Sequence, residues 1–172
     1  MPDLVAVLAR RRVALGWVTA IAAIVLARPT WESWSVGLAV ACLGEGIRVW
    51  AAGHLEKSRE VTTSGPYRWS RHPLYVGSSV LALGVVLAAR SWLLAALAAV
   101  YMGSTITAAI RAEEAFLRRT FGDSYDRYAR AENAPAGRPF SGERAVRNKE
   151  YRAVGGVAAG FGLLALRLLL PL

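Results

Sequence analysis

The chain has 172 residues, of which 55% are hydrophobic and 19% charged, and its formal net charge is +9. A soluble domain carries about 25% charged residues, and a chain of this length buries only about 70% of its unfolded surface, so much of the apolar surface must face lipid. The composition excludes a disordered chain, a collagen-like repeat and a disulfide scaffold, and one cysteine with two histidines leaves too few soft ligands for a metal centre.

Five apolar segments of 15 to 19 residues each occur along the chain, over 13–27, 36–52, 74–89, 92–110 and 153–170. A helix needs about 20 residues to cross the hydrocarbon core of a bilayer, and local thinning accommodates a slightly shorter one. The sequence therefore predicts an all-α integral membrane bundle of about five transmembrane helices. We expect one domain over residues 1–172.

The basic residues predict the orientation of this bundle. With the N-terminus in the cytoplasm, only Arg28, Arg90 and Arg167 lie outside, and Arg48 lies within a segment. All other lysines and arginines then fall on the cytoplasmic side, as the positive-inside rule requires. Because these residues lie between apolar segments and form no aromatic-studded basic face, we expect the partner to be the lipid bilayer and not nucleic acid.

Glu45 and Arg48 lie in the middle of the second apolar segment, three residues apart and therefore on one helix face. Ionisable groups at that depth are costly and usually face the bundle interior. The pair is either a structural ion pair that joins two helices or part of a ligand pocket, and the sequence favours neither.

The loop after the second segment contains several residues typical of a ligand site. Pro73 suits the first position of the third helix, so His72 is predicted to be its N-cap. Free N–H groups and the helix dipole then favour an anion, and Arg71 reinforces this preference. Tyr67 and Tyr75 supply ring faces for a cation or a flat heterocycle.

The third and fourth helices are joined by Arg90 and Ser91 alone, which predicts a tight antiparallel hairpin. The fourth helix is expected to continue out of the membrane and to end at Gly122 as its C-cap, before another short helix. Glu113 and Glu114 occupy its first cytoplasmic turn, so His72 should lie close to Glu113. In the last segment, the spacing of Gly156 and Gly160 favours close helix packing within the monomer over a dimer interface.

Taken together, an anion-binding end, a carboxylate pair and aromatic faces suit a cationic zwitterion such as S-adenosylmethionine. Two groups of residues form a motif. The first is Gly65-Pro66-Tyr67 with Arg71-His72-Pro73-Leu74-Tyr75-Val76-Gly77, and the second is Glu113-Glu114, Leu117, Phe121-Gly122, Tyr125 and Tyr128. This two-part motif resembles the isoprenylcysteine carboxyl methyltransferase and phospholipid methyltransferase superfamily of integral membrane enzymes. The resemblance covers residues 44–139.

The resemblance implies an S-adenosylmethionine-dependent methyltransferase with its cofactor pocket in cytoplasmic helical extensions at the membrane boundary. We expect the membrane to be a bacterial inner membrane. The residues expected to bind the cofactor are Arg59, Glu60, Val61, Thr62, Tyr67, His72, Pro73, Leu74, Tyr75, Gly77, Glu113 and Glu114. No metal is expected.

The expected methyl acceptor is a lipid-like or prenylated molecule that reaches the site laterally from the bilayer, between helices. It presents either a carboxylate, which needs no base, or an amine, which must lose a proton. The candidate catalytic residues are His72, Arg48 and Glu45. Arg48 and Glu45 would lie near the cleft through which the acceptor arrives. His72, Glu45, Glu113 or Glu114 could take the proton of an amine, and the sequence favours none of them.

Two other functions remain open at this point. Membrane sterol and steroid reductases carry a similar Arg-His-Pro-x-Tyr element and bind NADPH, although Leu74 stands here where their motif usually has Asn. A non-catalytic membrane protein would bind no cofactor tightly. Binding of S-adenosylhomocysteine, and not of NADPH, would distinguish the methyltransferase from both.

Overall fold

The computed structural model describes residues 21, 24–132 and 137–170, and these residues form helices and loops with no strand. The predicted all-α fold is therefore confirmed. The helices are α1 (Trp31–His54), α2 (Pro73–Ala89), α3 (Trp92–Phe121), α4 (Asp123–Ala129), α5 (Gly142–Arg147) and α6 (Tyr151–Leu169), with a 3-10 helix over Gly65–Arg68.

Of the described helices, α1, α3 and α6 are long and apolar enough to cross a membrane, and α2 is a shorter apolar helix of 17 residues. The first predicted segment, 13–27, falls mostly outside the described residues, so the expected number of five spans stays a prediction. The apolar surface of α3 is largely exposed, with Trp92 93% accessible, as expected for a helix that faces lipid.

Local sequence signals fix the helix ends that matter for the site. The Thr30 side chain accepts a hydrogen bond from the Ser33 N–H in a capping box, which starts α1 five residues before the predicted apolar segment. His72 caps α2 and Pro73 is its first residue, as predicted. Gly122 ends α3 with a positive φ, also as predicted.

The α1 and α2 helices pack antiparallel through facing glycines. A Cβ atom built at Gly44 would lie 2.4 Å from the Leu81 nitrogen and 2.7 Å from the Gly77 oxygen. One at Gly84 would lie 2.6 Å from the Gly37 oxygen. Glycine therefore lets these two backbones approach more closely than any side chain would allow.

The α6 helix also lies antiparallel to α1, but with wider spacing. The Trp34 indole donates a hydrogen bond of 2.9 Å to the Phe161 oxygen, and the Arg167 guanidinium donates one to the Ile24 oxygen. No described atom lies within 4 Å of a Cβ built at Gly156 or Gly160. Gly156 and Gly160 line a cavity together with Phe161. Because segment 13–27 lies mostly outside the described residues, close packing through these glycines stays a prediction.

Candidate functional site

The end of α1, the start of α2, the end of α3 and the start of α6 surround a cavity of about 490 Å³, called here the polar cavity. Both halves of the sequence motif contribute to it. Its lining includes Glu60, Val61, Thr62, Tyr67, His72, Pro73, Leu74, Tyr75, Glu113 and Tyr128. Residues separated by more than 60 positions thus converge on one volume of the size that small-molecule ligands occupy.

His72 lies on the wall of the polar cavity between two carboxylates. Its Nε2 is 3.2 Å from Oε1 of Glu114, and its Nδ1 is 3.8 Å from Oε2 of Glu113. The distance confirms the proximity that the α2–α3 hairpin predicts. Glu113 and Glu114 raise the pKa of His72 above its ordinary value, although burial opposes them. Nδ1 is buried and faces the Glu113 carboxylate, and it has no closer partner among the described residues.

The two adjacent glutamates have different surroundings. Glu113 lines the polar cavity and is 41% exposed. Glu114 does not line it, because its carboxylate contacts Arg71 Nη1 at 3.2 Å and His72 at the same distance. Glu113 is therefore the carboxylate that can meet a ligand, and Glu114 orients His72.

Tyrosine rings form another wall of the polar cavity. Tyr67 is only 7% exposed, and burial followed by the nearby Glu113 carboxylate raises the pKa of its phenol. The Tyr128 hydroxyl donates a hydrogen bond of 2.8 Å to the Tyr67 carbonyl, and burial raises the pKa of Tyr128 to about 12. Both phenols are therefore neutral at physiological pH. The Tyr75 ring lies 5.9 Å from that of His72 and completes an aromatic surface for a flat ligand.

The loop between α1 and the 3-10 helix closes the polar cavity on a third side. Thr62 is buried and its hydroxyl accepts a hydrogen bond of 3.1 Å from the Glu56 N–H. The Glu56 carboxylate in turn accepts one of 2.8 Å from Arg144, and this bond lowers the pKa of Glu56. Asn148 donates to the Ala52 and Leu55 oxygens, both at 2.9 Å. The segment around α5 therefore fixes the end of α1 and the loop.

Arg48 lies inside the bundle and contacts two acidic residues. Its Nη2 is 2.6 Å from Glu150 Oε1, its Nε is 3.5 Å from Glu45 Oε2, and its Nη1 donates a hydrogen bond to the Ser78 hydroxyl. Arg48 and Glu150 line the polar cavity, whereas Glu45 does not. The ion pair between Glu45 and Arg48 that the helix face predicts is present.

A second cavity of about 470 Å³, called here the apolar cavity, lies between α1, α2 and α6. Leu81, Val85, Phe161 and Leu164 are among the residues that line it. Arg48 lines both cavities, so its guanidinium lies where they meet.

Some predicted site residues lie outside the polar cavity. The Arg59 side chain is 73% exposed, and Gly77 faces α1, where a Cβ would lie 2.7 Å from the Arg48 Cγ. The sequence did not indicate that Glu150 and Asn148 line the polar cavity. Polar residues just before an apolar segment are common, so their position alone does not mark a site. Metal ligands are not clustered anywhere in the described part of the chain.

This architecture is that of an integral membrane protein with a polar cavity at one end of its bundle. The chain belongs to the phospholipid methyltransferase family, whose model matches residues 17–124. That match includes the first half of the motif and both glutamates of the second half. No solved structure is significantly similar to the chain.

Several curated proteins are similar to part of it. The nickel-cobalt-cadmium resistance protein NccN of Alcaligenes xylosoxydans xylosoxydans is 38% identical over 97 residues, which cover 55% of this chain and 44% of that protein. The protein-S-isoprenylcysteine O-methyltransferase of Schizosaccharomyces pombe is 31% identical over 111 residues, 58% of this chain and 46% of that protein. A probable protein-S-isoprenylcysteine O-methyltransferase of Oryza sativa subsp. indica is 32% identical over 117 residues, which cover 61% of this chain and 60% of that protein. The chain thus spans about half the length of the curated relatives it matches.

Proposed function

We propose that this protein is an S-adenosylmethionine-dependent methyltransferase that modifies a lipid-like or prenylated acceptor. The observation that carries the proposal is the convergence of both motif halves on the polar cavity, with His72 and Glu113 3.8 Å apart on its wall. Membership of the phospholipid methyltransferase family and similarity to two O-methyltransferases support it.

The residues of the polar cavity fit the parts of the cofactor. Glu113 is a half-exposed carboxylate that can accept hydrogen bonds from the ammonium group. The cofactor's carboxylate can bind Arg71, which lines the same cavity and whose side chain is 45% exposed. The rings of Tyr67 and Tyr75 offer surfaces for adenine.

When bound, the cofactor supplies an electrophilic methyl group on a sulfonium. The chain's own task is to hold an acceptor in line with that methyl group, which is worth up to about 7–11 kcal/mol when the reacting atoms are held ~3–3.5 Å apart. The three walls of the polar cavity, one of which is the fixed loop over 55–62, provide this positioning. Because Tyr67 and Tyr128 stay protonated, neither phenol carries a negative charge that would draw the sulfonium away from the acceptor.

The acceptor is expected to arrive from the bilayer through the apolar cavity, because that cavity meets the polar cavity at Arg48. An apolar tail would lie among Leu81, Phe161 and Leu164 while the reacting group reaches Arg48. We further propose that the polar cavity faces the cytoplasm, since basic residues are concentrated at that end of the bundle. Cysteine substitutions at Arg90 and Arg130 in a Cys42→Ser background, labelled with an impermeant maleimide, test this orientation.

The proposal is tested with the purified protein in lipid nanodiscs. S-adenosylhomocysteine should bind in isothermal titration calorimetry and raise the melting temperature, whereas NADPH should do neither. Glu113→Gln should weaken binding about tenfold or more, as expected for loss of a hydrogen bond to a charged group, and Glu143→Gln, an exposed glutamate of α5, is the matched control. Absence of S-adenosylhomocysteine binding would refute the proposal.

A further inference from the structure

Within the part of the chain that the structure describes, the charges where the two cavities meet do not balance. Glu45 and Glu150 both contact the single guanidinium of Arg48, so two carboxylates face one positive charge. The Glu150 side chain is 8% exposed and that of Glu45 is 10% exposed. Both oxygens of Glu45 lack a hydrogen-bond donor among the described residues. A buried carboxylate in excess is costly, and it is relieved by a cation or by a proton.

Carboxylate and hydroxyl oxygens already surround the Arg48 guanidinium. Nη2 contacts Glu150, Nη1 donates to Ser78, and Nε faces Glu45. A planar guanidinium binds a carboxylate best through two parallel N–H donors. Glu150 already lies at Nη2, and an acceptor carboxylate at Arg48 would be repelled by both Glu45 and Glu150, so Arg48 is poorly suited to bind it.

Glu150 has the better position to contact an acceptor. It is the N-cap residue of α6 and lines the polar cavity. It also contacts Arg48, which is the one described residue that lines both cavities. An acceptor whose tail lies in the apolar cavity therefore presents its reacting group beside this carboxylate. An alkylammonium group there would restore the charge balance of the cluster.

We propose that Glu150 is a catalytic residue that accepts the proton lost by an amine acceptor carried on an apolar chain; this inference rests on the proposed methyltransferase function. In the step, the ammonium proton passes to the Glu150 carboxylate and leaves a nitrogen lone pair. That pair forms the N–C bond to the methyl carbon while the C–S bond breaks and its electrons return to sulfur. The positive charge thus moves from sulfur to nitrogen, and Glu150 releases its proton through the polar cavity.

The chemistry of the product tests this inference without any variant. The wild-type protein is incubated with methyl-labelled S-adenosylmethionine and a total lipid extract, and the labelled product is treated with alkali. An N-methyl group survives alkali, whereas a methyl ester releases volatile methanol. A stable label is expected. Volatile label would overturn the inference and leave the proposed function intact, whereas absence of both label and S-adenosylhomocysteine binding would refute the proposed function itself.

Binding of acceptor analogues gives a readout that needs no turnover. A long-chain alkylamine should raise the melting temperature of the cofactor-free protein more than the fatty acid of equal chain length does. Glu150→Gln should abolish this preference and lower the methylation rate about 100-fold or more, with S-adenosylhomocysteine binding unchanged. Glu143→Gln is again the control. An equal response to both analogues in the wild type, or an unchanged rate in a folded Glu150→Gln variant, would contradict the role of Glu150.

Discussion

Substitution of Gly44 by alanine tests whether the α1–α2 contact holds the site together. The new Cβ would lie 2.4 Å from the Leu81 nitrogen and 2.9 Å from its Cα, and these backbone atoms cannot rotate away. Overpacking of this kind costs about 1–3 kcal/mol. Gly46 is two residues further along the same helix, and nothing described lies within 4 Å of its Cβ position. There alanine should instead stabilise the helix by about 0.5–1 kcal/mol.

The two variants should therefore differ by at least about 1.5 kcal/mol in the free energy of unfolding, or more than tenfold in the unfolding equilibrium constant. Equilibrium unfolding with SDS in mixed micelles, followed by circular dichroism, measures the difference. Comparable stability of Gly44→Ala and Gly46→Ala would contradict the close approach of α1 and α2.

Three further predictions concern the walls of the polar cavity. Folding raises the pKa of His72, so its charged form stabilises the fold fully below about pH 6.5 and this stabilisation is lost as the pH rises through the raised pKa. The difference in the free energy of unfolding between wild type and His72→Asn should therefore be smaller at about pH 9 than at about pH 6. Glu113→Gln and Glu114→Gln should each lower the pKa of His72, measured by NMR titration of its ring; an unchanged pKa in both would contradict the assignment of its cause. Tyr128→Phe removes the hydrogen bond to the Tyr67 carbonyl and should cost about 0.5–1.5 kcal/mol of stability, with weaker S-adenosylhomocysteine binding; a neutral effect on both would exclude a role in shaping the wall.

Local signals predicted much of the site. Proline can begin a helix but cannot continue one, so Pro73 placed His72 at the cap of α2. The two-residue link at Arg90 left no room for any arrangement but a hairpin, which brought His72 to Glu113. Such inferences succeed because each depends on a few neighbouring residues and on the fixed geometry of a helix.

Contacts between distant segments were not predictable in the same way. Arg48 and Glu150 are 102 positions apart and belong to helices that are not consecutive, so no spacing rule connects them. The facing glycines did carry a signal, since Gly37 and Gly44 are seven residues apart, as are Gly77 and Gly84. Seven residues are close to two helical turns, which places each pair on one face.

This packing also explains how Gly77, a residue of the motif that lies outside the polar cavity, acts on the site. A Cβ there would lie 2.7 Å from the Arg48 Cγ and 2.7 Å from the Gly44 oxygen. The bare backbone at Gly77 therefore lets the Arg48 stem pass across α2, so that its guanidinium reaches Ser78 and Glu150. The glycine that joins two helices is thus also the one that places the buried charge cluster between the two cavities.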